Sequence, residues 1–299
     1  MQTIRRIDDL MQQVTGWVRP AGSTYKPPRS LSTGLFDLDQ LTGGLKAGSL
    51  TILAGRPSMG KTTLALNIAQ HVASIEKLPT VFFSLDINEL DLTARVAASA
   101  ANVSAFSLSN GRSVDAAEWG RLNQVVEQLR HTDLYLGTTT DIHDIENCIR
   151  NLGSHGVHIG LVVVDYLQLF LPYCPLGLEG ADPDYDRTRA LEEILTRMKL
   201  LAEQLDFAVV VLWQLGPEVD QRSDKCPAVG DLRLTEFMER NIDLVMMLYR
   251  DELYNRDSST APGIADIFIG KQKNGPTGLV RVDFQSRFAK FKNLAMGSA

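Results

Sequence analysis

From Ser49 onward the chain alternates short blocks that are apolar throughout with stretches of helical spacing. SLTILAG is followed by the helix-forming KTTLALNIAQHVAS, and TVFFSL is the next buried strand. Asp115 and Glu118 make a capping box for the helix AAEWGRLNQVVEQLRH. DLYLG and a helix near 141–152 lead to the buried strand GLVVVDYLQLF, and a long helix from about Arg187 to Leu205 precedes FAVVVLWQL. DLVMMLYR, IADIFIGK, LVRVDFQ and RFAKF then follow one another as strands with no helix between them. Strands without polar alternation, separated by helices, are buried on both faces, so the expected fold class is α/β, with a mostly parallel central sheet flanked by helices. The last four strands predict an antiparallel edge extension.

Upstream, Ile4, Ile7, Leu10, Met11, Val14, Trp17 and Val18 recur at steps of three and four, one apolar stripe on a helix. Such a stripe packs on its own domain or docks on a neighbouring subunit. PAGSTYKPPRS, rich in Pro, Gly and Ser, reads as a linker. The expected organisation is an amphipathic linker helix at 1–20, a flexible linker at 21–30, one large domain at 31–293, and a tail at 294–299 that need not be native.

Composition narrows the picture only at its margins. The 299 residues, 44% hydrophobic and 22% charged, suit one large α/β domain with a short appendage. No apolar run reaches the ~18 residues of a membrane helix, and MQTIRRIDDL lacks the apolar centre of a signal peptide. Three scattered cysteines with no CxxC pair argue against a disulfide framework or zinc ribbon, and make a cytoplasmic location the default. A net charge of −6 argues mildly against a chain coated in nucleic acid, but not against a ring that is basic only in its pore.

The chemistry is concentrated after the first buried strand. Gly55, Arg56, Pro57, Ser58, Met59, Gly60, Lys61 and Thr62 match GxxxxGK[ST] between a strand and a helix, with Thr63 next to them in the candidate nucleotide-binding set. Backbone N–H groups of such a loop turn around phosphates, and the helix N-terminus adds partial positive charge. Lys61 is expected on the β- and γ-phosphates and the Thr62 hydroxyl on Mg²⁺. Asp165, after four apolar residues, places a carboxylate at the end of another buried strand as the second metal ligand. ATP with Mg²⁺ is the expected cofactor pair. His155 and His158 lack an accompanying carboxylate cluster, and are read as part of a turn before a strand.

With these motifs placed, the segment from STGLFDLDQLTGGLKAGS through GRPSMGKT, together with FSLD, VVVDYLQL, VVVLWQL, DLRLTEFMERNID, LYRDELY and GKQKNGPTG, resembles the RecA-like motor domain of DnaB-type replicative DNA helicases. The resemblance covers about residues 31–293 and none of the family's N-terminal helical domain. Residues 1–20 resemble the family's linker helix, which packs against the next subunit of a hexameric ring. The resemblance implies that Gln214 senses the γ-phosphate, that Lys271 reaches a neighbour's nucleotide, and that Arg233 is a pore-loop arginine on the DNA backbone. It also implies a homo-hexamer acting on single-stranded DNA at replication forks in the 5′-to-3′ direction, with a helicase loader and primase as partners.

Three departures stand out. Asp86 replaces the family's glutamate that activates water, and a carboxylate misplaced by about 1 Å can cost roughly a hundredfold. Lys273 replaces the arginine of KQRNG, losing its two-pronged geometry. Arginine fingers contribute about 10³–10⁵ in rate, so slow hydrolysis is expected. Glu89 is a fallback for the missing carboxylate reach. The loop LPYCPLGLEGADPDYD carries Glu179, Asp182, Asp184 and Asp186, and is expected to be a solvent-facing insertion; Leu234 and Thr235 replace a Glu-Ser pair after Arg233. These changes keep a rival open, a slow or inactive ring that binds ATP for assembly as an accessory replication factor. A RecA-like strand-exchange filament ranks last, because residues 1–35 contain no Phe to serve as an aromatic docking anchor.

Overall fold

The apolar blocks become strands because both faces of each are covered. The computed structural model describes residues 30–294 apart from 140, 170–182, 257 and 260, with the side chains of 183–186 also outside the description. After β1 (Ser30–Leu31), α1 (Phe36–Thr42) and β2 (Leu45–Lys46) come β3 (Leu50–Gly55), α2 (Lys61–Ser74) and β4 (Thr80–Ser84). The middle of the chain forms α3 (Glu89–Ala101), α4 (Ala105–Ser109), α5 (Ala116–Leu129), β5 (Leu134–Gly137), α6 (Ile142–Ser154) and β6 (Leu161–Asp165). Then follow α7 (Pro183–Leu205), β7 (Ala208–Gln214), α8 (Glu236–Asn241), β8 (Leu244–Tyr249), β9 (Ile264–Gln272), β10 (Gly278–Gln285) and β11 (Lys290–Asn293).

Nine strands form one sheet in the order β11-β10-β9-β8-β3-β7-β6-β4-β5. Every pairing from β8 to β5 is parallel, while β9, β10 and β11 add on antiparallel, as the helix-free run of strands predicts. Alternate residues of each central strand serve opposite faces. Leu53, Phe82, Val163 and Val210 pack with Leu64, Ile68 and Val72 of α2. Ile52, Phe83, Val162 and Val211 pack with Ile145 and Ile149 of α6 and Ile194, Leu195 and Met198 of α7. This double cover is why the strands read as unbroken apolar runs.

Individual expectations hold in detail. The Glu118 backbone N–H donates to Asp115 at 2.7 Å and α5 starts there, with the capping box closed by the Glu118 side chain. The hydrophobic pattern assigns no helix to α3, which is capped by Asn88 accepting from the Asp91 N–H at 2.9 Å. The linker helix 1–20, the linker up to residue 29, Glu179 and Asp182, and the tail from 295 lie outside the described residues. Asp184 and Asp186 fall on the first turns of α7.

Candidate nucleotide site

The parallel strands all end on one edge, and the site is built there. Gly55 closes β3 beside Gln214 of β7, and Asp165 closes β6 beside Ser84 of β4. Residues 56–60 turn from β3 into α2, with Ser58 at φ 66° and Gly60 at φ 100°. Gly60 is needed twice over: its φ is left-handed, and a Cβ there would come within 3.1 Å of the Phe291 ring. At Gly55 a Cβ would meet the Leu248 carbonyl at 2.9 Å, so the P-loop strand packs too closely on β8 for any side chain.

Lys61 opens α2 and is only 8% exposed. Burial pulls its pKa down to about 8, against the attraction of Asp165, and its Nζ donates to the Arg56 carbonyl at 3.0 Å. Next to it the Thr62 hydroxyl donates to Asp165 Oδ2 at 2.8 Å. Asp165 is 2% exposed, and burial pushes it up to about 6, assisted by Asp86 and opposed by the Thr62 hydrogen bond, Lys61 and Arg95. A buried carboxylate whose charge is this poorly compensated is stabilised by a cation. The donors are a hydroxyl and a carboxylate, hard oxygens of the kind Mg²⁺ takes. Among the described residues no group of three or more His, Cys, Asp or Glu is placed to hold a metal. A cation at Thr62 and Asp165 would therefore draw its remaining ligands from phosphate and water, the usual arrangement for Mg²⁺.

These groups face a cleft of about 600 Å³ that also takes in Thr63, Asp86 and Gln214. Asp86 lies two residues beyond β4 and is exposed. Gln214 is held through its backbone: its carbonyl accepts from Gln168 Nε2 at 3.0 Å and its N–H donates to Gln168 Oε1 at 3.3 Å. Pro57 and Ser58 line the cleft as expected. Arg56 and Met59 do not bring their side chains to it. The Arg56 guanidinium is taken by Asp220 Oδ2 (3.0 Å from Nε) and the Leu215 carbonyl (2.7 Å from Nη1), and Met59 is buried in the core at 2% exposure. Neither side chain is free for phosphate, the first being paired with Asp220 and the second packed in the core. The fallback Glu89 is also turned away, accepting from the Thr138 hydroxyl at 2.8 Å.

Two cleft arginines are given no role by the sequence. Arg95 projects from α3 into the cleft and carries no hydrogen bond or ion pair among the described residues. Arg250, 7% exposed, follows β8, stacks at 4.1 Å over Phe284, donates to the Ser58 carbonyl at 3.3 Å and pairs with Glu252. It thus braces the phosphate loop from the antiparallel side. LYRDELY was legible as a string, but nothing in its pattern tells which charge turns inward.

A model of the DnaB-like helicase C-terminal domain matches residues 30–293. The chain belongs to that family. It is 37% identical over 270 residues to the replicative DNA helicase DnaB of Haemophilus influenzae, covering 89% of this chain and 55% of that protein. The DnaB of Geobacillus stearothermophilus is 36% identical over 267 residues, covering 88% and 56%. The chain thus spans about half the length of the curated relatives it matches. One solved ATPase domain superposes with a TM-score of 0.85 at 27% identity, covering 98% of this chain and all of that one. A solved DnaB-like replicative helicase, described together with its interactions with primase, gives 0.82 at 27% identity and covers 98% and 68%.

In this DnaB-family chain the remaining basic residues stand apart from the cleft. Lys271, near the end of β9, and Lys273, just past it, donate to the Glu239 and Arg240 carbonyls at the C-terminus of α8, Lys273 at 2.8 Å. Lys273 also pairs with Asp243 at 2.9 Å. Asp243 in turn accepts from the N–H of Leu50, at the start of β3. Five residue steps separate Leu50 from Gly55, about 17 Å of strand, so neither lysine serves its own phosphate loop. Arg233 is exposed at a left-handed turn (φ 52°) and paired with Glu218 at 2.6 Å. Thr235, which departs from the family pattern, plays a structural part, for its hydroxyl accepts from the Met238 N–H at 3.2 Å and caps α8.

Proposed function

We propose that this chain is the motor domain of an ATP-hydrolysing DNA helicase that assembles as a hexameric ring in the cytoplasm, moves 5′-to-3′ on single-stranded DNA and separates duplex during replication. The supporting observation is the division of charge between the two ends of the sheet. Lys61, Thr62, Asp86, Asp165 and Gln214 converge at the strand ends, while Lys271 and Lys273 sit at the opposite end. A ring of identical copies brings one end against the other, which completes each nucleotide site with a neighbour's lysines.

Lys61 holds the β- and γ-phosphates of ATP. Thr62 and Asp165 would hold Mg²⁺, which when bound neutralises phosphate charge. Asp86 orients the attacking water and takes its proton, and Gln214 registers loss of the γ-phosphate. Arg233 grips the DNA backbone without reading bases, releasing Glu218 to do so. The cap at Thr235 and the helix α8 join that arginine to the two lysines, so a shift at the DNA can be felt at the neighbour's nucleotide. A primase and a helicase loader are the proposed protein partners; one solved relative is described with its interactions with primase.

Native mass in Mg-ATP, combined with ATP turnover with and without single-stranded DNA, tests the proposal. A hexamer with DNA-stimulated turnover is expected. A chain that stays monomeric, or whose turnover ignores DNA, would refute it.

A further inference from the structure

At the end of the sheet opposite the cleft, one carboxylate organises three donors. Asp243 immediately precedes β8, and its Oδ2 accepts from the Leu50 N–H at 2.9 Å and from Lys199 Nζ at 2.7 Å. Lys199 is tied in as well by the Gly48 carbonyl at 2.7 Å. The Asp243 N–H donates to the Leu50 carbonyl at 2.9 Å, so main chain and side chain are both clamped to the start of β3. The other oxygen, Oδ1, meets Lys273 Nζ at 2.9 Å, and the Lys273 N–H donates to the Asp243 carbonyl, also at 2.9 Å. Exposure follows the same division: the side chains of Lys199 and Asp243 are 13% and 19% exposed, and that of Lys273 is 39%.

We propose that Asp243 is a positioning residue that orients Lys273 toward the nucleotide of the adjoining copy, an assignment that rests on the ring described under the proposed function. An ammonium has three donors. Lys273 donates one of them to the Arg240 carbonyl and is ion-paired with Asp243 Oδ1, and the two contacts together restrict the direction in which it can meet an oxygen from outside the subunit. An arginine brings its own planar fork, whereas a lysine at the end of four rotatable bonds does not. Where lysine replaces arginine the orientation has to be imposed from outside, and a carboxylate held rigid through its other oxygen can impose it. Surface ion pairs are weak, so the contact orients Lys273 without withholding it from a phosphate.

Asp243→Asn keeps an oxygen for the Leu50 N–H and Lys199 and replaces the one facing Lys273 with a competing donor. In the assembled protein kcat for ATP should fall about tenfold while KM holds, because the cleft at the other end is untouched. Subunit mixing supplies the readout that damage to the fold would not produce. Lys61→Ala subunits carry an intact Lys273 but no working cleft, and Asp243→Asn subunits carry an intact cleft. Rings mixed from the two should turn over ATP faster than either variant alone. Unchanged kcat in Asp243→Asn, or a loss that mixing does not relieve, would overturn the assignment. Turnover and hexamer mass of the unmodified chain in the same assays report separately on the ring.

Discussion

The Thr62 hydroxyl donates to Asp165 Oδ2 across 2.8 Å, so the first turn of α2 and the last residue of β6 meet through the two side chains proposed to hold Mg²⁺. The contact satisfies one lone pair of a carboxylate that is 2% exposed, and leaves its charge largely uncompensated.

Asp165→Asn should therefore stabilise the nucleotide-free protein while abolishing Mg²⁺-dependent hydrolysis. Burial raises the folded pKa from 3.8 to about 6, so the carboxylate adds stability only while protonated. That contribution is complete below pH ~4 and lost as pH rises through ~6. Two decades of proton affinity correspond to about 3 kcal/mol. The gain from asparagine should approach this size at pH 8 and vanish near pH 4. Thermal unfolding at the two pH values reads it; equal melting shifts at both would contradict the explanation.

Lys61 gives a second, independent proton signal. In the empty cleft burial lowers its pKa to about 8, and bound phosphate restores the charged form. Binding of ATP at pH 8.5–9 should then take up a proton, and affinity should decline as pH rises through ~8. Calorimetry in buffers of different ionisation enthalpy measures the uptake directly. Release of a proton, or none in either direction, would show that Lys61 is not the group that phosphate recharges.

Hydrolysis is proposed to be slow for two separable reasons. Asp86→Glu extends the carboxylate by one methylene, and should raise kcat by up to about a hundredfold if reach is what limits it. Lys273→Arg restores a planar donor, and should raise kcat at least tenfold, given the ~10³–10⁵ typical of arginine fingers. Because Asp86 and the neighbour's Lys273 meet at the same γ-phosphate in the proposed ring, the two gains are expected to couple rather than add in free energy. Steady-state ATPase of the single and double variants decides the matter, and a fall in either single variant counts against that residue's role.

Arg95 faces the cleft with no hydrogen bond or ion pair among the described residues, and its charge helps to offset that of Asp165. Arg95→Ala should weaken ATP binding about tenfold and ADP binding less, and change the melting temperature of the nucleotide-free protein only slightly, since no hydrogen bond is lost and only part of the compensation of Asp165 goes. Titration calorimetry with the two nucleotides compares the losses. Equal weakening would place Arg95 away from the γ-phosphate.

Much of the site was readable without coordinates because its parts are local. GRPSMGKT lies between a buried strand and a helix, and a backbone loop that must turn inside a few residues announces itself through Gly60 and Lys61. Asp165 is legible for a related reason, as a polar residue ending a strand that is otherwise apolar, whereas Gln214 was marked only by the family resemblance. Arg56 shows the limit. It lies within the motif, yet its side chain is claimed by Asp220, 164 positions away. Arg95 was hidden because α3 buries its apolar residues in two small patches, and its charges look like an ordinary solvated face.

The order of apolar runs, helical spacings and turns along the chain determined an α/β sheet with an antiparallel edge, and placed the phosphate loop at a strand end, because periodicity and backbone sterics act over a few residues. Tertiary structure alone decided that Arg95 points inward, that Arg56 does not, and that Asp243 joins Lys273 to the start of β3. Those outcomes depend on which strands become neighbours, and strand pairing brings together side chains that no local pattern relates.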